Sequence, residues 1–356
     1  MNTVMAYLFL ITFCGSALQG QNGINDWKAL AGSPYDGYAV RLVGGYYLDP
    51  LDHDKLLDGL KKMKKESGLD PWPWIFLNRM IGTKKDGEKY KLLPEKTRSR
   101  LVKIKGMDIF GEAGELDGFL DNWKTSLVLA REVGAPGVAL DVESYNDYGM
   151  YDVRKLADAQ GKTVPEVVDG LKQVGARMAD IAAKEYPDAK VLSYFIGMTR
   201  DDFRMSGHLM SVSYILLGFL ERCADKKYGL KLIAGGEVGL GYCSRDLASL
   251  KAKIDYRDRA YERYRQMYPD SLVLGGIIAP WGDAGKKDGW LKMGECVKCD
   301  IKNIEGFTPY FKTLASEYNF ISIYAARKAN YDPFNAGDAA IFNPVIKREF
   351  KTEKNH

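Results

Sequence analysis

Two kinds of segment alternate along the chain, and that alternation is its strongest constraint on fold. Short apolar runs recur through the 356 residues: YAVRLVGGYY (38–47), WPWIFLNRMIG (72–82), a weaker LVKIKGMDIFG (101–111), PGVALDVE (136–143), KVLSYFIG (190–197), LKLIAGGEVG (230–239), SLVLGGIIAP (271–280) and NFISIYAAR (319–327). Several are apolar almost throughout, the pattern of parallel strands covered on both faces. Between them lie segments with helical spacing. In 163–187, Val167, Leu171, Val174, Met178 and Ile181 form one stripe. Thr163 and Glu166 read as a capping box at its start, and Pro187 as its stop. Leu120, Trp123, Leu127 and Ala130 repeat in the same way within 119–137, and residues 207–229 and 244–269 read as two further long helices. Residues 54–68 place Leu56, Leu57, Leu60 and Met63 on one helical face and leave the lysines on the solvated one.

Strand followed by helix, about eight times over, predicts an α/β chain folded as one (β/α)₈ TIM barrel. The alternative is a doubly wound open sheet. Against it, no GxGxxG follows the first strand and no GxxxxGK[ST] occurs anywhere. The Gly-rich runs GGEVGLG (235–241) and GGIIAPWGDAG (275–285) lack phosphate-loop spacing, so no nucleotide cofactor is expected. Residues 21–335 are assigned to the barrel and 336–356 to a C-terminal surface tail.

The N-terminus reads differently. Residues 1–20, MNTVMAYLFLITFCGSALQG, carry no charged side chain, and an apolar run from Val4 to Cys14 precedes Gly15, Ser16 and Ala17. This is the pattern of a secretory signal peptide cleaved near Ala17 or Gly20, and the run is short for a membrane span. The expected location is secreted or periplasmic. The remaining cysteines, Cys223, Cys243, Cys296 and Cys299, are even in number, which permits disulfides in an oxidising compartment. CVKC (296–299) is the closest pair. A net charge of +4 without a basic stripe implies no nucleic-acid partner.

The chemistry concentrates where GVALDVESYN ends. Side chains two apart on a strand face the same way, so Asp141 and Glu143 would project together at the C-terminal end of their strand. In barrel enzymes that end carries the active site. Two close carboxylates repel, and one then tends to hold a proton. A carboxylic acid beside a carboxylate is what glycosidic cleavage requires. Glu237 follows the sixth run, where Gly235 and Gly236 allow a sharp bend or a close backbone approach, and supplies a candidate nucleophile or base across the mouth. Tyr46, Tyr145, Tyr242, Trp281 and Tyr324 lie near strand ends or loops as candidate sugar platforms, and Arg79 could orient a carboxylate or an anion. No GxSxG supports a serine hydrolase and no HExxH a metal hydrolase, so neither metal nor other cofactor is expected.

VALDVESY resembles the end of the DxxDxDxE strand motif of family 18 chitinases and related barrels. The resemblance implies that Glu143 protonates the glycosidic oxygen and that Asp141 orients a substrate N-acetyl group. Pro136 and Ala139 stand where the motif has its two earlier aspartates. More broadly, the chain resembles secreted, glycoside-hydrolase-like bacterial barrels. The expectation is a secreted enzyme that hydrolyses a polysaccharide or glycan, with a catalytically silent, glycan-binding barrel as the alternative.

Overall fold

The computed structural model describes residues 7–12, 27–42, 50–77, 108–110, 115–142, 152–194, 196, 209–240, 244–280, 304–325 and 333–354. The strands are β1 (Tyr7–Thr12), β2 (Gly37–Arg41), β3 (Asp70–Phe76), β4 (Gly137–Asp141), β5 (Lys190–Ser193), β6 (Lys231–Ala234), β7 (Leu272–Leu274), β8 (Gly276–Ile278) and β9 (Phe320–Ala325). All the pairs are parallel, in the order β7-β6-β5-β4-β3-β2-β1-β9-β8. The two ends of that order, β7 and β8, are separated in the chain by Gly275 alone. They are two halves of one interrupted strand, so the sheet closes on itself as an eight-position (β/α) barrel.

Helices follow the strands. They are α1 (His53–Ser67), α2 (Glu115–Val133), α3 (Val153–Gln160), α4 (Val164–Glu185), α5 (Ser211–Lys226), α6 (Glu237–Leu240), α7 (Leu247–Met267), α8 (Ile304–Glu317) and α9 (Ala336–Lys354). The helical stripes of the sequence are the buried faces. Leu56, Leu60 and Met63 of α1 are buried, as are Val167, Leu171, Val174 and Met178 of α4. At the start of α4 the Thr163 hydroxyl accepts from Glu166 N–H, and the Glu166 carboxylate accepts from Thr163 N–H, completing the capping box.

The structure departs from the sequence reading in three places. The eighth strand position is filled by Tyr7–Thr12, from the segment expected to be a cleaved leader, and β1 pairs with β2 on one side and β9 on the other. β3 pairs directly with β4, so among the described residues no strand stands between them; of the run 101–111, expected as a weak strand, only 108–110 lie within the described residues. The apolar pattern of that run is weak, broken by Lys103, Lys105 and Asp108. Residues 336–354 form α9 rather than a surface tail: Phe342 and Ile346 are fully buried, and Phe342 meets Phe307 of α8 edge-on, with 5.2 Å between centroids. The tail's polar composition hid a narrow apolar stripe at helical spacing.

The interior face can be followed from contacts that cross intervening strands. Trp72 Nε1 of β3 donates to Tyr7 Oη of β1 at 2.8 Å, passing over β2. A Cβ at Gly37 of β2 would overlap that Tyr7 oxygen, so the position needs glycine. Tyr7 also stacks on Phe320 with 5.6 Å between centroids, and Lys190 of β5 reaches its ring at 5.6 Å from across the barrel. Residues alternating with these, at Trp74, Phe76, Ala139, Asp141, Leu192 and Tyr194, therefore share the interior face toward the C-terminal ends of the strands. Trp72 and Trp74 are fully buried, and burial of a large apolar side chain contributes about 1.5–3 kcal/mol.

Cys223, expected as a possible partner of Cys243, is a free, buried thiol on the inner face of α5. Cys243, Cys296 and Cys299 lie outside the described residues.

Candidate active site

The site forms where β3, β4, β5 and β6 end. In β4, five consecutive buried positions finish in Asp141, which is 2% exposed. Register places Asp141 beside Phe76 of β3. The pairing of β3 and β4 continues one step further, where Leu77 N–H donates to the Asp141 carbonyl at 2.7 Å. The carboxyl is thus carried on hydrogen-bonded backbone rather than on a loose loop, and a group so held keeps its orientation.

The neighbouring strand brings up Tyr194. Leu192 is in register with Ala139, so Tyr194, two residues on, stands level with Asp141. Its ring meets Trp74 edge-on, with centroids 5.6 Å apart at 85°, and Trp74 in turn stacks on Phe76 at 5.2 Å. The Arg41 guanidinium of β2 lies 4.6 Å above the Phe76 ring. Together they make an interior aromatic wall with a cation at one edge and a carboxyl at the other.

Glu237 enters from β6. After Ala234 the chain bends through Gly235 and Gly236, the latter at φ 94°, a conformation that side chains other than glycine rarely adopt. A Cβ at Gly235 would lie 3.0 Å from the Tyr194 Cα, so glycine lets the bend lie directly on β5. Gly235 N–H then donates to the Ser193 carbonyl at 2.8 Å, and Glu237 N–H to the Tyr194 carbonyl at 3.1 Å. Glu237 opens the four-residue helix α6, half-buried.

Arg257 of α7 fastens this bend from outside the wall. Its side chain is 2% exposed, with Nη1 donating to the Gly275 carbonyl at 2.6 Å and Nη2 to the Ala234 carbonyl at 2.7 Å. Gly275 is the break between β7 and β8: β7 pairs with β6 and β8 with β9, and Gly275 N–H itself donates to the Ala234 carbonyl of β6 at 2.8 Å. The planar guanidinium bridges the two carbonyls there, a geometry a lysine ammonium does not reproduce.

The Tyr194 phenol is pushed well above the usual phenol range, first by burial and then by the charges of Asp141 and Glu237. It therefore stays neutral at physiological pH. The arrangement supplies an interior carboxyl at the end of β4, a second carboxyl past the end of β6 and a neutral hydroxyl past the end of β5, the strand between. Such a set can exchange protons with a bound molecule and stabilise positive charge developing on it.

The sequence expectations divide accordingly. Asp141 and Glu237 reach the same end of the barrel. Tyr324 of β9 alternates with Phe320 on the interior face, but at 2% exposure it presents no open ring surface as a platform. Glu143, Tyr46, Arg79, Tyr145, Tyr242 and Trp281 lie outside the described residues. The sequence reading missed Tyr194, Arg41 and Arg257. Tyr194 was legible in principle, because it lies in the apolar run 190–197 two residues after Leu192, on the same strand face. Arg257 carried no signal, being one of several arginines in a polar helix. Among the described residues no cluster of three His, Cys, Asp or Glu could hold a metal ion, and no helix is long and apolar enough to cross a membrane.

No family model matches the chain. No curated protein matches it. Among solved structures it is similar to a GH113 β-1,4-mannanase, at 10% identity over 99% of this chain and 100% of that one, with a TM-score of 0.49. It is similar to the PgaB glycoside hydrolase domain from Bordetella bronchiseptica, at 13% identity over 96% and 99%, with a TM-score of 0.48. It is also similar to endonuclease IV from Thermus thermophilus, at 11% identity over 98% and 99%, with a TM-score of 0.45. Glycoside hydrolases and an endonuclease appear at the same distance, so activity has to be argued from the residues of this chain.

Proposed function

We propose that this chain is a glycoside hydrolase acting at the C-terminal mouth of its barrel. The observation that carries the reading is that Asp141, at the end of β4, and Glu237, just past the end of β6, flank Tyr194 at the C-terminal end of the barrel, and both charges act on its phenol. Carboxyl pairs perform both halves of glycosidic cleavage. Glu143, two residues past Asp141, is the proposed proton donor, with Asp141 as the partner that tunes it and Glu237 as nucleophile or base.

A second reading is a barrel that binds glycan without cleaving it. Ala139 favours it: this position, where the chitinase motif has an aspartate, is fully buried and in register with Trp74. No third carboxylate can stand below Asp141 to relay charge.

The test is hydrolysis of chitin, cellulose, mannan and xylan oligosaccharides and of aryl glycosides by the purified chain. Glu143→Gln should lower turnover on natural linkages roughly 10²–10⁴-fold, the range of general acid catalysis. Aryl glycosides with good leaving groups should be spared. Binding without product in the wild type would establish the second reading. Full turnover by Glu143→Gln would remove Glu143 from the acid role.

A further inference from the structure

Tyr194 Oη is a fully buried hydroxyl with no hydrogen-bond partner among the described residues. More than nine in ten buried polar groups are paired, and an unpaired one is costly to the folded state. Everything else about the residue is fixed. Its carbonyl accepts from Glu237 N–H at 3.1 Å, its Cα lies under Gly235, and its ring is held edge-on against Trp74 at 5.6 Å. A phenylalanine would fill the same space and make the same ring contact without the stranded oxygen. The residue stands level with Asp141 on the interior face and beside the backbone of Glu237.

We propose that Tyr194 is a catalytic residue whose hydroxyl hydrogen-bonds a sugar hydroxyl of the unit seated between Asp141 and Glu237. The inference rests on the glycan-cleavage reading of this site and adds a group to it. A phenol can donate one hydrogen bond and accept others, so it fits a sugar hydroxyl whichever way that group is turned. The pairing forms only when substrate arrives, and a hydrogen bond to a sugar hydroxyl that tightens in the transition state accelerates cleavage. The stability sacrificed in the free protein is then recovered on binding. Being neutral, the phenol adds no charge that would compete with either carboxyl group.

The experiment compares the full wild-type chain with Tyr194→Phe, using thermal melting of the free proteins and hydrolysis of the same oligosaccharide and aryl glycoside panel. The expected result is a melting temperature equal to or above that of the wild type. With it, turnover should fall about 10²-fold, the lower range for losing one transition-state donor. A purely structural tyrosine would give the opposite pattern, lowering the melting temperature and sparing turnover of the molecules that remain folded. Unchanged turnover in Tyr194→Phe beside an active wild type overturns this proposal alone. So does a melting temperature several degrees below the wild type, because the hydroxyl would then be paired in the free protein. A wild type inert on every oligosaccharide and aryl glycoside overturns the glycan-cleavage reading, and this inference with it.

Discussion

Arg257 Nη1 donates to the Gly275 carbonyl at 2.6 Å, across the point where the barrel wall is interrupted between β7 and β8. The second arm of the same guanidinium holds Ala234, three residues before Glu237. One side chain from an outer helix therefore clasps two carbonyls that the Gly275 N–H to Ala234 bond already brings together, and ties down the bend that presents a candidate catalytic carboxyl.

Replacing Arg257 should be costly for that reason. Hydrogen bonds to a charged group contribute about 1.5–3 kcal/mol each, and Arg257→Met removes two of them, taking the donor from the Gly275 carbonyl while the Ala234 carbonyl keeps the Gly275 N–H. The expected loss is about 3 kcal/mol, read from urea denaturation. Arg257→Lys should recover only part of it, because one ammonium cannot reproduce the fork. A variant as stable as the wild type would show that the bridge is incidental.

Acid should unmask the contribution of the α4 capping box. The Thr163 backbone N–H, then its hydroxyl and Lys162, hold the Glu166 carboxyl down from 4.5 to about 2. A carboxyl depressed in the folded state stabilises above its unfolded value and loses that contribution as pH falls through its folded one. Wild type should therefore melt above Glu166→Gln at pH 7, and the gap should narrow from about pH 4.5 and close near pH 2. A gap that is constant over that range would mean the cap does not depend on the charge.

Cys223 should resist modification in the native protein. Burial, followed by the charge of Asp180, pushes its thiol from 9.0 to about 12, so very little reactive thiolate forms near neutrality. Iodoacetamide labelling with peptide mass spectrometry should find Cys223 unlabelled in the folded chain and labelled in denaturant. A peptide disulfide-linked through Cys223 would contradict the structure.

The N-terminal segment carries two incompatible expectations, and its fate can be measured. Residues 1–20 have the composition of a cleaved leader, whereas the sheet uses Tyr7–Thr12 as the strand between β2 and β9. Removing residues 1–20 would open the edges of both neighbouring strands and take away Tyr7 Oη, which accepts from Trp72 Nε1. The truncated chain should melt well below the full one or aggregate, and mass spectrometry of the folded native protein should recover Tyr7–Thr12. A mature form beginning near residue 18–21 and equally stable would show that the barrel closes without β1.

Strand and helix periodicities are local properties of each segment, so the layered α/β architecture was legible in the order of the amino acids. So were the α4 capping box, the apolar faces of α1, α2 and α4, and the strand ends that carry Asp141 and Glu237. Which run fills each position in the ring was settled only by the folded chain. An uncharged apolar hexapeptide reads equally as a leader and as a buried strand, and only pairing with β2 and β9 distinguishes them. The same holds for α9, whose stripe has meaning only against Phe307. It also holds for Tyr194 and Arg257, whose significance lies in a missing partner and in two distant carbonyls. Periodicity records what a residue does within its own element, whereas these roles depend on where other elements come to rest.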